Sequence, residues 1–109
     1  MDARVARLRD VAHGRSGDKL DRANIGLVCG TEADFEYLRR GLPASRVADY
    51  LEPFLGAVDV TRYEVPGVLG FNFVVEHALD GGSTVSRRVD RLGKALSGLL
   101  LSMPLPDRT

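Results

Sequence analysis

Val58-Asp59-Val60-Thr61-Arg62-Tyr63-Glu64-Val65-Pro66-Gly67-Val68-Leu69-Gly70-Phe71-Asn72-Phe73-Val74-Val75-Glu76-His77-Ala78-Leu79 reads as two strands about a turn. In the first, Val58, Val60 and Arg62 alternate with Asp59, Thr61, Tyr63 and Val65, the period of a half-buried strand. Pro66-Gly67 punctuates the run. In the second, Phe71, Phe73, Val75, His77 and Leu79 share one face, and Asn72, Val74, Glu76 and Ala78 share the other. One apolar face on an antiparallel pair demands a covering layer, and the flanking sequence supplies it.

Upstream, Thr31 stands as an N-cap, with Glu32 and Asp34 where the helix dipole favours negative charge. Phe35, Leu38 and Leu42 form one apolar stripe, and Glu36 and Arg40 are spaced as an i,i+4 pair. Gly41 and Pro43 end this helix. Pro43 opens a second, with Val47, Tyr50, Leu51, Phe54 and Leu55 at helical spacing. Pro53 is expected to stop the regular helix and leave Phe54 and Leu55 as a packing tail.

Downstream, Asp80-Gly81-Gly82-Ser83 breaks the strand. Val85, Val89, Leu92, Leu96, Leu99 and Met103 then recur as one face of a long amphipathic helix. Gly81 to Thr84 at its start suits an anion or ordinary capping by Ser83 or Thr84. Near the amino end, Val5–Ala12 is expected as a strand paired with Ile25–Cys29. The order is then β-β-α-α-β-β-α. It predicts an α+β fold, a ferredoxin-like two-layer sandwich with a mainly antiparallel sheet and helices on one side. The chain is read as one domain over residues 1–109, with a core at about 4–103 and a flexible tail at 104–109.

Composition narrows function by exclusion. The chain has 109 residues with 15 basic and 15 acidic side chains. That balance offers no electrostatic grip on nucleic acid or anionic lipid. No Trp is present and aromatic residues are few, so a base-stacking platform is not supported. Cys29 is the only cysteine, lies in an apolar run and cannot form an internal disulfide. No leading apolar segment and no membrane span are evident, and a cytoplasmic location is expected.

Chemistry concentrates in His13-Gly14-Arg15-Ser16-Gly17-Asp18-Lys19-Leu20-Asp21-Arg22-Ala23-Asn24, read as a polar loop between strands. Asp18 separates Gly17 from Lys19, and Leu20 stands where a Walker loop needs a hydroxyl, so this is no nucleotide-hydrolysis motif. No dinucleotide fingerprint follows a strand. His13, Asp18, Asp21 and His77 lack the spacing of a metal site, and no metal or cofactor is expected. A Ser16–His13 nucleophilic pair is conceivable but has no nucleophile elbow. Arg15, Lys19 and Arg22 form either an anion site or a surface neutralised by Asp18 and Asp21.

The pattern resembles a known family. Ala12-His13-Gly14-Arg15-Ser16-Gly17-Asp18-Lys19-Leu20-Asp21, then Asn24-Ile25-Gly26, is similar to the opening signature of the C-terminal ferredoxin-fold domain of the acyclic terpene utilisation (AtuA-like) proteins. Arg62-Tyr63-Glu64-Val65-Pro66, Asn72-Phe73-Val74, Gly81-Gly82, Ser86, Asp90 and Gly93-Lys94 extend the resemblance. Leu20 departs from it, because a second Gly is frequent there.

The resemblance implies a domain that usually follows a larger one in the same polypeptide. In this chain it implies a separately encoded large AtuA-like subunit. It links the family to branched or terpenoid acids degraded as CoA thioesters. The expected function is therefore the small subunit of a two-component enzyme acting on acyl-CoA or related acyl thioesters, by hydration or dehydration. His13, Ser16 and Asp18 are candidates for proton transfer. Arg15, Lys19, Asp21, Asn24, Asn72, Ser86 and Lys94 are candidates for substrate binding or the subunit interface. A non-catalytic assembly module and an independent acyl-CoA or anion binder stay open beside this reading, as does a homo-oligomer.

Overall fold

A computed structural model describes residues 6–19, 22–76 and 95–105. Its elements in chain order are β1 (Ala6–Arg7), β2 (Ala12–Lys19), β3 (Arg22–Cys29), α1 (Glu32–Gly41), α2 (Ala44–Leu55), β4 (Asp59–Val65), β5 (Gly70–Glu76), α3 (Leu96–Leu101) and β6 (Pro104–Leu105). Single 3-10 turns occupy Leu8–Asp10 and Pro66–Val68.

The central sheet has four strands in the order β2-β3-β5-β4, and all neighbours are antiparallel. The chain leaves β3 through α1 and α2 and returns as β4, parallel to β3 with β5 between them. This split βαβ connection and the one-sided helices make the fold ferredoxin-like. The edge beside β3 is filled by β2, which precedes it in the chain.

Alternation sets the core. Ala23, Ile25, Leu27 and Cys29 of β3 and Phe71, Phe73 and Val75 of β5 are buried on one face. They share one cluster with Phe35 and Leu38 of α1, Val47, Leu51 and Leu55 of α2, and Leu96, Leu99 and Leu100 of α3. Phe35 stacks on Phe71 with ring centroids 4.8 Å apart, joining α1 to the sheet. Gly70 is required by close approach, because a Cβ there would lie 2.6 Å from the carbonyl oxygen of Leu27.

Several expectations hold. Thr31 Oγ1 accepts a hydrogen bond from Asp34 N–H and caps α1. β4 and β5 present the predicted faces over the described residues, and the helices break at Leu42 and Pro43.

Others are corrected. Residues 6–11 form no strand against Ile25–Cys29; of the expected run Val5–Ala12, Ala12 alone pairs there, with Cys29, and Val5 falls outside the described residues. Ala6–Arg7 instead pairs with Pro104–Leu105, and Leu8–Asp10 turns. The polar run expected as a loop is strand at His13–Lys19 and Arg22–Asn24, with Lys19 opposite Arg22, and Leu20 and Asp21 fall outside the described residues. Glu36 pairs with Arg39 at 2.7 Å, not with Arg40, and this hydrogen bond holds the Glu36 carboxyl below its usual range. α2 continues through Pro53 to Leu55 and ends at Gly56, whose φ of 80° only glycine adopts freely. Pro53 lies in the last turn, so the bond its nitrogen cannot make to the carbonyl four residues back is lost only where the helix is about to end.

The expected helix does not run through Ala95, which has extended φ and ψ; α3 begins at Leu96, Met103 lies beyond its end, and Val85, Val89 and Leu92 fall outside the described residues. Residues 104–105 are not a loose tail, since Leu105 is buried and paired. The strand end His77–Leu79 and the Gly81–Thr84 turn fall outside the described residues, as do residues 106–109.

Candidate functional site

Among the described residues, the helices cover one face of the sheet and leave the other exposed. Strand periodicity decides which side chains reach it. On β2, Ala12, Gly14 and Ser16 turn towards the helices, and His13, Arg15 and Gly17 are exposed on the open face. Asn24 and Val28 of β3 and Thr61, Tyr63 and Val65 of β4 are exposed there too, with Asn72 of β5 half-buried among them.

Register arranges these residues in rows across the strands. Arg15, Gly26, Asn72 and Tyr63 stand side by side, and His13, Val28, Gly70 and Val65 form the next row. On the other side run Gly17, Asn24, Val74 and Thr61. Asn24 Nδ2 donates to Asn72 Oδ1 at 3.2 Å, tying the two amides across the strands. One row further, between β3 and β5, Arg22 pairs with Glu76 at 3.0 Å, so Glu76 is its counter-ion in the ladder. Arg15 and His13 find no ion-pair or side-chain hydrogen-bond partner among the described residues. They line an open cavity of about 340 Å³ with Gly14, Gly26 and Val28.

Ser16 does different work. Its Oγ accepts a hydrogen bond from the backbone N–H of Ser97 at 3.2 Å and lies 3.3 Å from Ser97 Oγ. Ser97 is in the first turn of α3, and the N-cap residue Ala95 offers no side-chain oxygen. Ser16 therefore caps α3 from the neighbouring strand. It lies on the helix side of β2 and His13 on the open side. The expected Ser16–His13 pair does not form.

Asp18 and Lys19 pair with Ala23 and Arg22 in the hairpin ladder. Asp21, Ser86 and Lys94, also expected at the site, fall outside the described residues, as does His77. Among the described residues no group of His, Cys, Asp and Glu is placed to hold a metal ion.

With the split connection, the β2–β3 hairpin and the open face in view, the family can be stated. The AtuA ferredoxin-like domain model matches residues 6–106. The chain belongs to that family. The AtuA ferredoxin-like match covers every described element of the fold. No curated protein and no solved structure matches the chain.

Two residues of β4 take roles that the sequence did not assign, although it placed them on opposite faces. Arg62 and Tyr63 are adjacent in β4 but serve opposite faces. Arg62 Nη1 donates to the carbonyls of Arg39 and Leu42 at 2.9 and 3.0 Å, closing the end of α1. Its guanidinium lies 5.3 Å from the Phe71 ring centroid. Tyr63 is 55% exposed and stands at the far end of the Arg15 row. The alternation of β4 was the signal that separates them.

Proposed function

We propose that this AtuA-like chain is the small subunit of a two-component enzyme acting on acyl-CoA or related acyl thioesters. Its open sheet face would complete a site on a larger AtuA-like partner. The observation that carries this reading is the row Arg15, Gly26, Asn72 and Tyr63, with His13 alongside and the Asn24–Asn72 amide pair across it. Polar side chains on an open face, with no acid opposite Arg15 among the described residues, are suited to a ligand or partner.

In the assembled enzyme, Arg15 would polarise a thioester carbonyl by hydrogen bonding to its oxygen. His13 would take or give the proton that hydration or dehydration of the acyl chain requires. The amides of Asn24 and Asn72 would orient the acyl group. No nucleophile is assigned, because Ser16 is committed to capping α3. We infer a cytoplasmic setting for the chain. No helix among the described residues is long and apolar enough to cross a membrane.

A second reading, a non-catalytic assembly module, is favoured by the structural use of Ser16. Tagged co-expression with neighbouring genes, then acyl-CoA turnover by what co-purifies, separates the two. The enzyme reading expects a large partner, with turnover lowered by His13→Gln and Arg15→Gln while the complex stays intact. Unchanged turnover in both variants would leave the assembly module. A chain that captures no large partner would remove both.

A further inference from the structure

Gly26 leaves a gap in the open face. Gly26 stands on a central strand between Arg15 and Asn72, and an added Cβ there would come no closer than 4.0 Å to its nearest neighbour, the Arg15 carbonyl oxygen. The missing side chain makes the floor of the cavity of about 340 Å³. Arg15 and His13 form one wall. Val28, 47% exposed, forms an apolar wall.

We propose that this cavity binds a small organic acid, its carboxylate on Arg15 and a short apolar chain laid along Val28. The guanidinium fork matches a carboxylate in two parallel hydrogen bonds, and no described acid competes for it. His13 sits in the next row on the same strand and offers a further polar contact. A phosphate fits less well. Gly26 lies in ladders on both sides, with Arg15 and with Asn72, so its backbone forms no free cradle of N–H groups. The cavity is open, and the rest of a longer ligand would extend into solvent or into a partner. The inference takes from the proposed function only that this face is the working surface.

The test is a titration of the full chain followed by amide NMR shifts. The probes are pentanoate, its neutral analogue pentanamide, and inorganic phosphate. Saturable shifts centred on Arg15, Gly26 and Val28 are expected with pentanoate. Pentanamide should bind about tenfold more weakly or worse, the cost of losing a charge-assisted pair. Arg15→Gln should abolish the shifts. Gly26→Val should also abolish them while keeping the dispersed spectrum of the folded chain, because it fills open space on a strand.

No saturable shift with pentanoate overturns the proposal. So does equal binding of pentanamide, tighter binding of phosphate, or a Gly26→Val chain that still binds. Failure here is distinct from failure of the subunit reading. A chain that binds pentanoate but captures no partner loses only the latter. A complex that turns over acyl-CoA without pentanoate binding to the chain loses only this site.

Discussion

Ser16 and His13 show how much a strand's parity decides for a single residue. They stand close in sequence, carry the chemistry of a nucleophile and a base, and project to opposite sides of β2. Ser16 serves stability, so Ser16→Ala should destabilise the fold by about 1 kcal/mol, the usual worth of an N-cap, in urea unfolding. Pentanoate binding should be unaffected. The two central-strand glycines make a contrasting pair. Gly70→Ala forces a Cβ against the Leu27 carbonyl, a backbone atom that cannot turn away. A loss of about 1–3 kcal/mol is expected by the same measurement. Gly26→Val has open space to occupy and should leave stability unchanged or slightly raised. The candidate residues of the site were legible as residue types, because His, Arg and Asn between apolar strands stand out. Their division between two faces was not, since it depends on a register that only pairing with β3 and β5 fixes.

At the level of elements, legibility followed the size of the inward residues. β4, β5 and α1 were readable because Val60, Phe71, Phe73, Phe35 and Leu38 mark their buried faces with bulk. β2 was not. Its inward positions are Ala12, Gly14 and Ser16, kept small where α3 packs close, so no hydrophobic period reveals the strand. The helix expected through Met103 does not run on across Ala95, for the converse reason. Its apolar spacing persists across Ala95, although the backbone there is extended and the cap comes from β2.

Two clamps hold helix ends and can be tested. Arg62→Ala should cost about 1.5–3 kcal/mol, since a charged donor to two helix carbonyls is lost. Arg62→Lys should restore little of it, because an ammonium lacks the planar fork. Tyr50 donates its hydroxyl to the Leu99 carbonyl of α3 at 3.0 Å. Burial raises its ionisation above the usual 10.0, partly opposed by Arg7 and Arg9. The folded state thus favours the protonated phenol. Its contribution is complete below pH 10.0 and declines as pH rises from there through the raised value. Chemical unfolding across this alkaline range should show a steeper loss for the native chain than for Tyr50→Phe.

For the whole molecule, the two-layer arrangement was legible from the order of its elements, but the means by which the chain closes was not. Two-residue strands leave almost no periodic signal, and Pro104 argued for an ending. The closure instead depends on Leu105, buried against the core, and on backbone pairing of Ala6–Arg7 with Pro104–Leu105. Arg7 and Arg9 reinforce it by donating to the Ser102 carbonyl and hydroxyl at 2.8 and 2.7 Å. Leu105→Ala should therefore lower stability by about 2–4 kcal/mol, a core-sized loss, read as a lower thermal midpoint. A mobile tail would show no change.

The β1–β6 closure also sets how the molecule bears load. Ala6 opposes Leu105 at the outer rung and Arg7 opposes Pro104 at the inner one. Tension between residues 6 and 105 would peel these rungs one after the other, as a zip opens, before it reached the four-stranded sheet. A neighbour tugging at the molecule through those positions would open a small mechanical fuse first, and the face that carries Arg15 and His13 would keep its shape.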